Sequence, residues 1–263
     1  MRAAIVLALA AAWPRGSSGF VFQEPGPAYA ASQLACARYR EEVRSGVRAE
    51  SGGRSRVERA GRGGVLVIEA SPADSGVRLE AWFDSLSVWR ESPAGRLVPD
   101  TDGLLGGRYR GTLTPAGRYH AEASPFVPDE VAEVADLGGV LADLFPPLPD
   151  RPLAPGEVAG DSTVSIRRLP DSVAAGARLA RYRLERRHAS RTERTVGDTL
   201  GFVADQVQTE EGAFVWHPTQ GLLRWERQVT IETTIPAEGA VRRPVRARVE
   251  QRIRLARLPR AGC

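Results

Sequence analysis

The chain contains no lysine and no asparagine, so all 36 of its basic side chains are arginine. Arginine is therefore the general-purpose cation here, a pattern that GC-rich coding explains, and the sequence pI of about 9.6 does not imply phosphate recognition. No nucleic-acid partner is expected. There are two cysteines, Cys36 and Cys263, and three histidines, His120, His188 and His217, in separate expected strands or strand ends. No H-E-x-x-H or C-x-x-C is present, so no zinc or other metal site is expected. Nucleophile elbow, phosphate-binding loop and dinucleotide fingerprint are all absent, because Gly103, Gly106 and Gly107 are turn glycines with no helix behind them. Asp100 and Asp102 share that turn as an oxygen pair, but the calcium-loop pattern is not completed downstream. No cofactor and no catalytic residue is expected. Beyond the N-terminus, no apolar run reaches the length of a membrane-spanning helix, so the mature chain is expected to carry no transmembrane segment.

The N-terminus itself reads as an export signal. Arg2 precedes the apolar run Ala3–Trp13, Pro14 breaks it, and small residues follow at Ser17–Gly19 and again at Ala28–Ala30. Residues 1–19 are assigned to the signal, with cleavage as late as residue 30 also allowed, and residues 20–31 to a linker. The expected location is periplasmic or extracellular. In an oxidising compartment Cys36 and Cys263 have a disulfide open to them; if it forms, the first and last elements of the fold lie side by side.

Two stretches near the C-terminus, 222–235 and 241–258, alternate apolar and polar residues more cleanly than any others. Val245, Ala247, Val249, Ile253 and Leu255 take one phase, interrupted by Gln251, and Arg246, Arg248, Glu250, Arg252 and Arg254 the other. Leu223, Trp225, Val229, Ile231, Thr233 and Ile235 repeat the dry phase upstream. Period two means one dry and one wet strand face. Strands of this length with one wet side build large curved antiparallel sheets. Charge is uneven, with 16 Arg against 19 acids in residues 1–150 and 20 against 13 in residues 151–263. Most of the C-terminal arginines fall on wet strand faces among glutamates, as a solvated face requires.

Residues 29–44 suit either a short helix or a first strand. Further strands are expected at 54–59, 65–70 and 77–90, the last apolar on both faces (Val77, Leu79, Ala81, Phe83; Trp82, Leu86, Val88) and therefore central. A hairpin follows over 108–123. Residues 129–145 carry Val131, Val134, Leu137, Leu141, Leu144 and Phe145 at helical spacing behind acidic residues, which predicts one helix, bent at Gly138-Gly139. Five prolines in residues 145–160 mark a crossover. Strands at 162–169, 178–188, 199–209 and 213–217 complete the series, with Glu210-Glu211-Gly212 read as a turn. The expectation is a mainly β single domain, residues 32–263. It is a large curved antiparallel sheet or half-barrel of ten or more strands, in two meander halves, with one mid-chain helix and a proline-rich crossover at 145–160.

This combination of signal, long strands, mid-chain helix and proline-rich crossover resembles the bacterial lipoprotein-carrier half-barrels. There an antiparallel sheet wraps an apolar concavity closed by helices. Residues 102–117 (DGLLGGRYRGTLTPAG), 144–161 (LFPPLPDRPLAPGEVAGD) and 214–227 (FVWHPTQGLLRWER) are also similar to uncharacterised exported bacterial β-rich proteins with a leu-pro-x-x-pro-val-x-x-gly-asp turn. Ser162-Thr163 replaces the aromatic residue usual after that turn. The resemblance implies a fold and transfers no activity. The functional expectation is a non-enzymatic β protein of the cell envelope that binds an apolar, lipid-like ligand on its curved sheet through Trp82, Trp225, Val229 and Ile231. An assembly factor contacting an envelope protein through sheet edges is the alternative, and a hydrolase pairing His217 with Asp205 is a third.

Overall fold

The computed structural model describes residues 26–196, 200–237 and 241–259; the expected export signal and Cys263 lie outside them. β1 (Ala37–Ser51), β2 (Arg54–Ala73) and β3 (Gly76–Ser92) form a meander, continued by β4 (Gly95–Leu97), β5 (Tyr109–Leu113) and β6 (Tyr119–Ala123). β7 (Val158–Gly160), β8 (Val164–Ala174), β9 (Ala177–Val196), β10 (Leu200–His217), β11 (Gly221–Ile235) and β12 (Val245–Arg257) form a second. Every pairing is antiparallel, within one 12-stranded sheet ordered β6-β5-β3-β2-β1-β12-β11-β10-β9-β8-β7, with β4 beside β3. The halves join at the centre, where the first strand pairs with the last from Tyr39↔Arg257 to Ser51↔Val245. The proline segment instead connects the two outer edges. Tyr119 and His120 of the edge strand β6 and Val164 of β8, next to the other edge, line one common cleft, so the sheet curves its ends toward each other without closing.

One face of the sheet carries the core. Tyr39 of β1, Leu66 and Ile68 of β2, Leu79 and Phe83 of β3, Leu184 of β9, Phe214 and Trp216 of β10, Trp225 of β11 and Leu255 of β12 form a single buried cluster. The layer that covers them is thin. It consists of α1 (Ala31–Leu34), α2 (Asp129–Ala132), α3 (Val140–Leu144) and the proline segment. Tyr29 pins that segment down: its hydroxyl donates to Pro146 O at 3.1 Å, and its ring stands edge-on to Phe145 at 5.3 Å and to Trp216 at 5.1 Å.

Three expectations from the sequence need correction. The single helix over residues 129–145 is two one-turn helices, because Asp136 Oδ1 accepts the Gly138 N–H at 2.9 Å and forms a turn there. Val131, Val134, Leu137, Leu141, Leu144 and Phe145 are nevertheless all buried, so the spacing marked the apolar contacts of the segment and not one continuous helix. Residues 54–59 and 65–70 are parts of the single strand β2. In it Gly61 lies under the Trp89 ring, 2.7 Å from where a Cβ would sit. In β3 the register slips between Val65 and Leu66 of its partner, leaving Asp84 as an extra residue. That bulge turns Leu86 and Val88 onto the core face with Phe83, while Trp82 stays on the outer face.

Cys36, the residue before β1, is disulfide-bonded. Tyr29 bears on the expected signal cleavage, since it is 3% exposed at the centre of the cover. A chain beginning at Gly26 keeps it, whereas one beginning at Ala31, as late signal cleavage would leave, loses its ring and hydrogen bond. The Ala31 form is expected to melt roughly 10 °C below the Gly26 form, as removal of a buried aromatic in a domain of this size implies. Equal melting midpoints by calorimetry would remove Tyr29 from this role.

Candidate functional site

The inner face of the sheet changes character along the strands. At one end it is the sealed core under α1–α3. At the other end, β1, β12 and β11 run on past that cover, and Val47, Val249 and Ile231 lie side by side in register, followed by Ala49, Ala247 and Thr233, then Val245 and Ile235. None of these belongs to the core cluster, and all are partly open to solvent. Glu58 of β2 flanks the strip on one side, and Gln208 of β10 and His188 of β9 on the other.

Between core and strip runs a belt of buried ion pairs. The Arg62 guanidinium donates through Nε and Nη2 to both oxygens of Glu41, at 2.9 and 2.8 Å, and through Nη1 to Asp136 O in the cover at 2.6 Å. Across the sheet, Arg227 Nη1 donates to Glu210 Oε1 at 3.0 Å, and Arg227 Nη2 lies 2.8 Å from Asp143 Oδ1 on α3. Arg186 Nη1 donates to the other Glu210 oxygen at 3.3 Å. The side chains of Glu210 and Arg227 are 2% and 7% exposed. Burial pushes each guanidinium toward its neutral form, but Glu41 holds Arg62, and Asp143 with Glu210 holds Arg227, above the ordinary arginine value. Both arginines therefore stay charged, and both tie the cover to the sheet.

Beside this belt, where β6 approaches the second half of the sheet, a cleft of about 590 Å³ opens. Its apolar wall is Phe145, Pro146, Pro147, Leu148 and Val164; its polar side is Arg118, His120, Asp143, Arg186, Glu210, Trp225 and Arg227. Trp225 Nε1 and Arg227 Nε are buried and have no hydrogen-bond partner among the described residues. Gly212, opposite Arg227, makes room for the indole, since a Cβ there would lie 2.4 Å from the Trp225 ring.

Of the four residues expected to line a ligand site, Trp225, Val229 and Ile231 share the inner face of β11, and Trp82 lies apart from them. Trp82 is on the outer face with the Arg108 guanidinium 3.6 Å above its ring. Trp225 is 1% exposed in the core, edge-on to Phe214 at 5.8 Å, and adjoins the cleft. Val229 is buried at the belt, directly opposite Glu210, and Ile231 lies on the open strip. The belt was the feature missed. Glu210-Glu211-Gly212 is strand interior and not a turn, and Glu210 is in phase with the inward Phe214 and Trp216. Arg227 occupies the one inward position between Trp225 and Val229 that breaks the dry series. Those phase relations were visible in the sequence. His217 Nδ1 accepts the Thr219 and Gln220 N–H groups at 3.1 and 3.2 Å, capping the β10–β11 turn. Asp205 lies twelve residues away on the same strand, about 40 Å at strand rise, so these two form no catalytic pair. Asp100 Oδ1 accepts the Asp102 N–H at 2.9 Å in a local turn. No cluster of three metal-ligating side chains occurs, and no helix is long and apolar enough to cross a membrane, among the described residues.

No family model matches the chain. No curated protein matches it. Among solved structures, a DUF1329 family protein from Desulfovibrio piger ATCC 29098 is similar at 14% identity, over 82% of this chain and 84% of that one, with a TM-score of 0.13. At that TM-score the likeness carries no argument.

One prediction concerns the belt and one the buried phenols. Glu210→Leu alone is expected to destabilise the fold by about 3 kcal/mol in urea unfolding, because it leaves buried Arg227 with only the half-exposed Asp143 as a partner. Adding Arg227→Met should recover most of that loss. A single-variant cost below about 1 kcal/mol would show that the pair is not buried as described. The second concerns alkali. Burial raises the phenols of Tyr29 and Tyr182, and it pushes Tyr109 and Tyr119 up to about 12. A phenol whose folded value exceeds its unfolded value of about 10 contributes stability that is complete below pH 10 and is lost as pH rises toward 12. Tyrosinate absorbance is expected to lag free tyrosine and to rise together with loss of circular dichroism. A midpoint near 10 with the fold intact would contradict it.

Proposed function

We propose that the protein is an exported, non-enzymatic carrier or receptor that binds an apolar, lipid-like ligand along the inner face of its half-barrel. The observation that supports this is the strip Val47–Val249–Ile231 with Val245 and Ile235. It is a contiguous apolar surface on three neighbouring strands at the middle of the sheet, left beyond the cover. Soluble proteins seldom leave a contiguous apolar patch open without a partner for it, and a concave apolar floor with polar groups at one end is the general form of a small-molecule site. The rows flanking the strip are polar, which confines a ligand to its length. Strand addition to a partner protein has less in its favour. The terminal strands β6 and β7 have five and three residues, and β9, which pairs only with β10 from His188 onward, carries exposed Arg191 and Glu193, charges that blunt an open edge.

Protein purified from its native compartment is expected to yield a stoichiometric lipid or other long-chain apolar molecule on organic extraction and mass spectrometry. Ile231→Asp with Val249→Asp should abolish that yield and leave the core intact, because neither residue belongs to the core cluster. An extract equally rich from this variant, or empty from the parent protein, would defeat the reading.

A further inference from the structure

We infer that the cleft beside the belt is a headgroup site for an anionic oxygen group, so that the ligand is an acidic amphiphile such as a long-chain carboxylate. The inference rests on the apolar-ligand reading and specifies its polar end. Three atoms are buried without hydrogen-bond partners among the described residues, Asp171 Oδ1, Trp225 Nε1 and Arg227 Nε. Asp171 is already in contact with Arg168, which leaves the two N–H donors as the real orphans. Both belong to residues that line the same cleft. They lie two positions apart on β11, on the same face and within about 7 Å along the strand.

A buried donor without an acceptor is costly, and a tryptophan needed only as core filler is replaceable by phenylalanine without that cost. The donors point to an acceptor that arrives from outside the chain. Charge agrees. Arg186, Glu210, Arg227 and Asp143 form an alternating, neutral chain, and Arg118 on the rim adds one uncompensated positive charge to the lining. One anionic group balances the cleft. Arg186 is about a third exposed and uses only Nη1 on Glu210 in the described contacts, so its remaining donors face the same task. The position also suits an amphiphile. Glu210 stands directly opposite Val229, so the headgroup chemistry adjoins the start of the strip on which Ile231 follows.

The test is calorimetric titration of the purified, delipidated protein with dodecanoate, dodecanol and acetate, the amphiphiles kept below micellar concentration. Dodecanoate is expected to bind at least about tenfold more tightly than dodecanol, the scale of a hydrogen-bonded charge, and acetate far more weakly than either. Trp225→Phe should cost dodecanoate about fivefold, and cost dodecanol, whose hydroxyl is a weaker acceptor, less than that. Arg186→Gln should reduce the preference further. Because Trp225→Phe removes an orphan donor and keeps a ring, its unliganded melting midpoint should stay within about 4 °C of the parent, so a loss of affinity is not a loss of fold. Equal binding of dodecanoate and dodecanol overturns the headgroup site and leaves the apolar reading standing. Acetate binding as tightly as dodecanoate keeps the anion site and overturns the amphiphile. Failure of all three probes overturns both.

Discussion

The pairing of β1 with β12 is the constraint on which the rest of the molecule depends. It joins strands from opposite ends of the chain, so that Tyr39 and Arg257, 218 residues apart, come within a hydrogen bond of each other. Without that seam the two meanders would be separate sheets, each with a long central edge exposed to aggregation. With it, those edges vanish into the middle of the sheet, whose terminal strands are β6 and β7. The seam is costly in loop-closure entropy, though that cost grows only slowly with chain length. A topology dominated by such distant contacts is expected to fold slowly. The seam also sets the geometry of the inner face, because Val47 and Val249 meet across it and make the strip continuous between the halves.

Curving the joined sheet brings the outer edges round to one cleft, and the crossover that links them has to lie across the concavity. That explains why so little regular helix suffices as a cover. The segment is short of helix formers at its Gly138-Gly139 break and rich in proline beyond it, so it holds its shape through fixed backbone dihedrals and a few anchors. Tyr29 anchors its proline end, Arg62 its middle at Asp136, and Arg227 its α3 end at Asp143.

Much of this was legible in the sequence, and what was not has identifiable causes. Period-two alternation located the long strands and their dry faces, because burial of one face leaves that signature whatever the topology. Topology was not legible from alternation, which says nothing about which strand pairs with which, and the seam was signalled only by the disulfide open to Cys36 and Cys263. The bulge at Asp84 inverted the faces of Leu86 and Val88, because one extra residue shifts the phase of everything after it. Trp82 and Trp225 looked equivalent as strand aromatics, yet one lies beneath an arginine on the outer face and the other in the core. Glu210 was read as part of a turn and Arg227 went unplaced in the dry series; charged residues are rarely buried unless paired, and pairing is a property of space and not of spacing.

The belt is best understood by what it divides. Buried ion pairs are poor sources of net stability, since their mutual attraction does little more than repay desolvation. Apolar residues at Glu41, Arg62, Glu210 and Arg227 would extend the core seamlessly into the strip, and nothing in the backbone would then define where the crossover stops. With charges there, the cover has a definite register: Asp136 O and Asp143 must sit over the two guanidinium groups or leave them under-satisfied. Moving the crossover outward would also place its apolar residues against buried charge. The belt thus keeps the strip open at the expense of stability that an all-apolar face would have supplied. An uncovered apolar surface is itself a liability in water, so a fold that keeps one open by this means gains only if something other than its own chain comes to cover it.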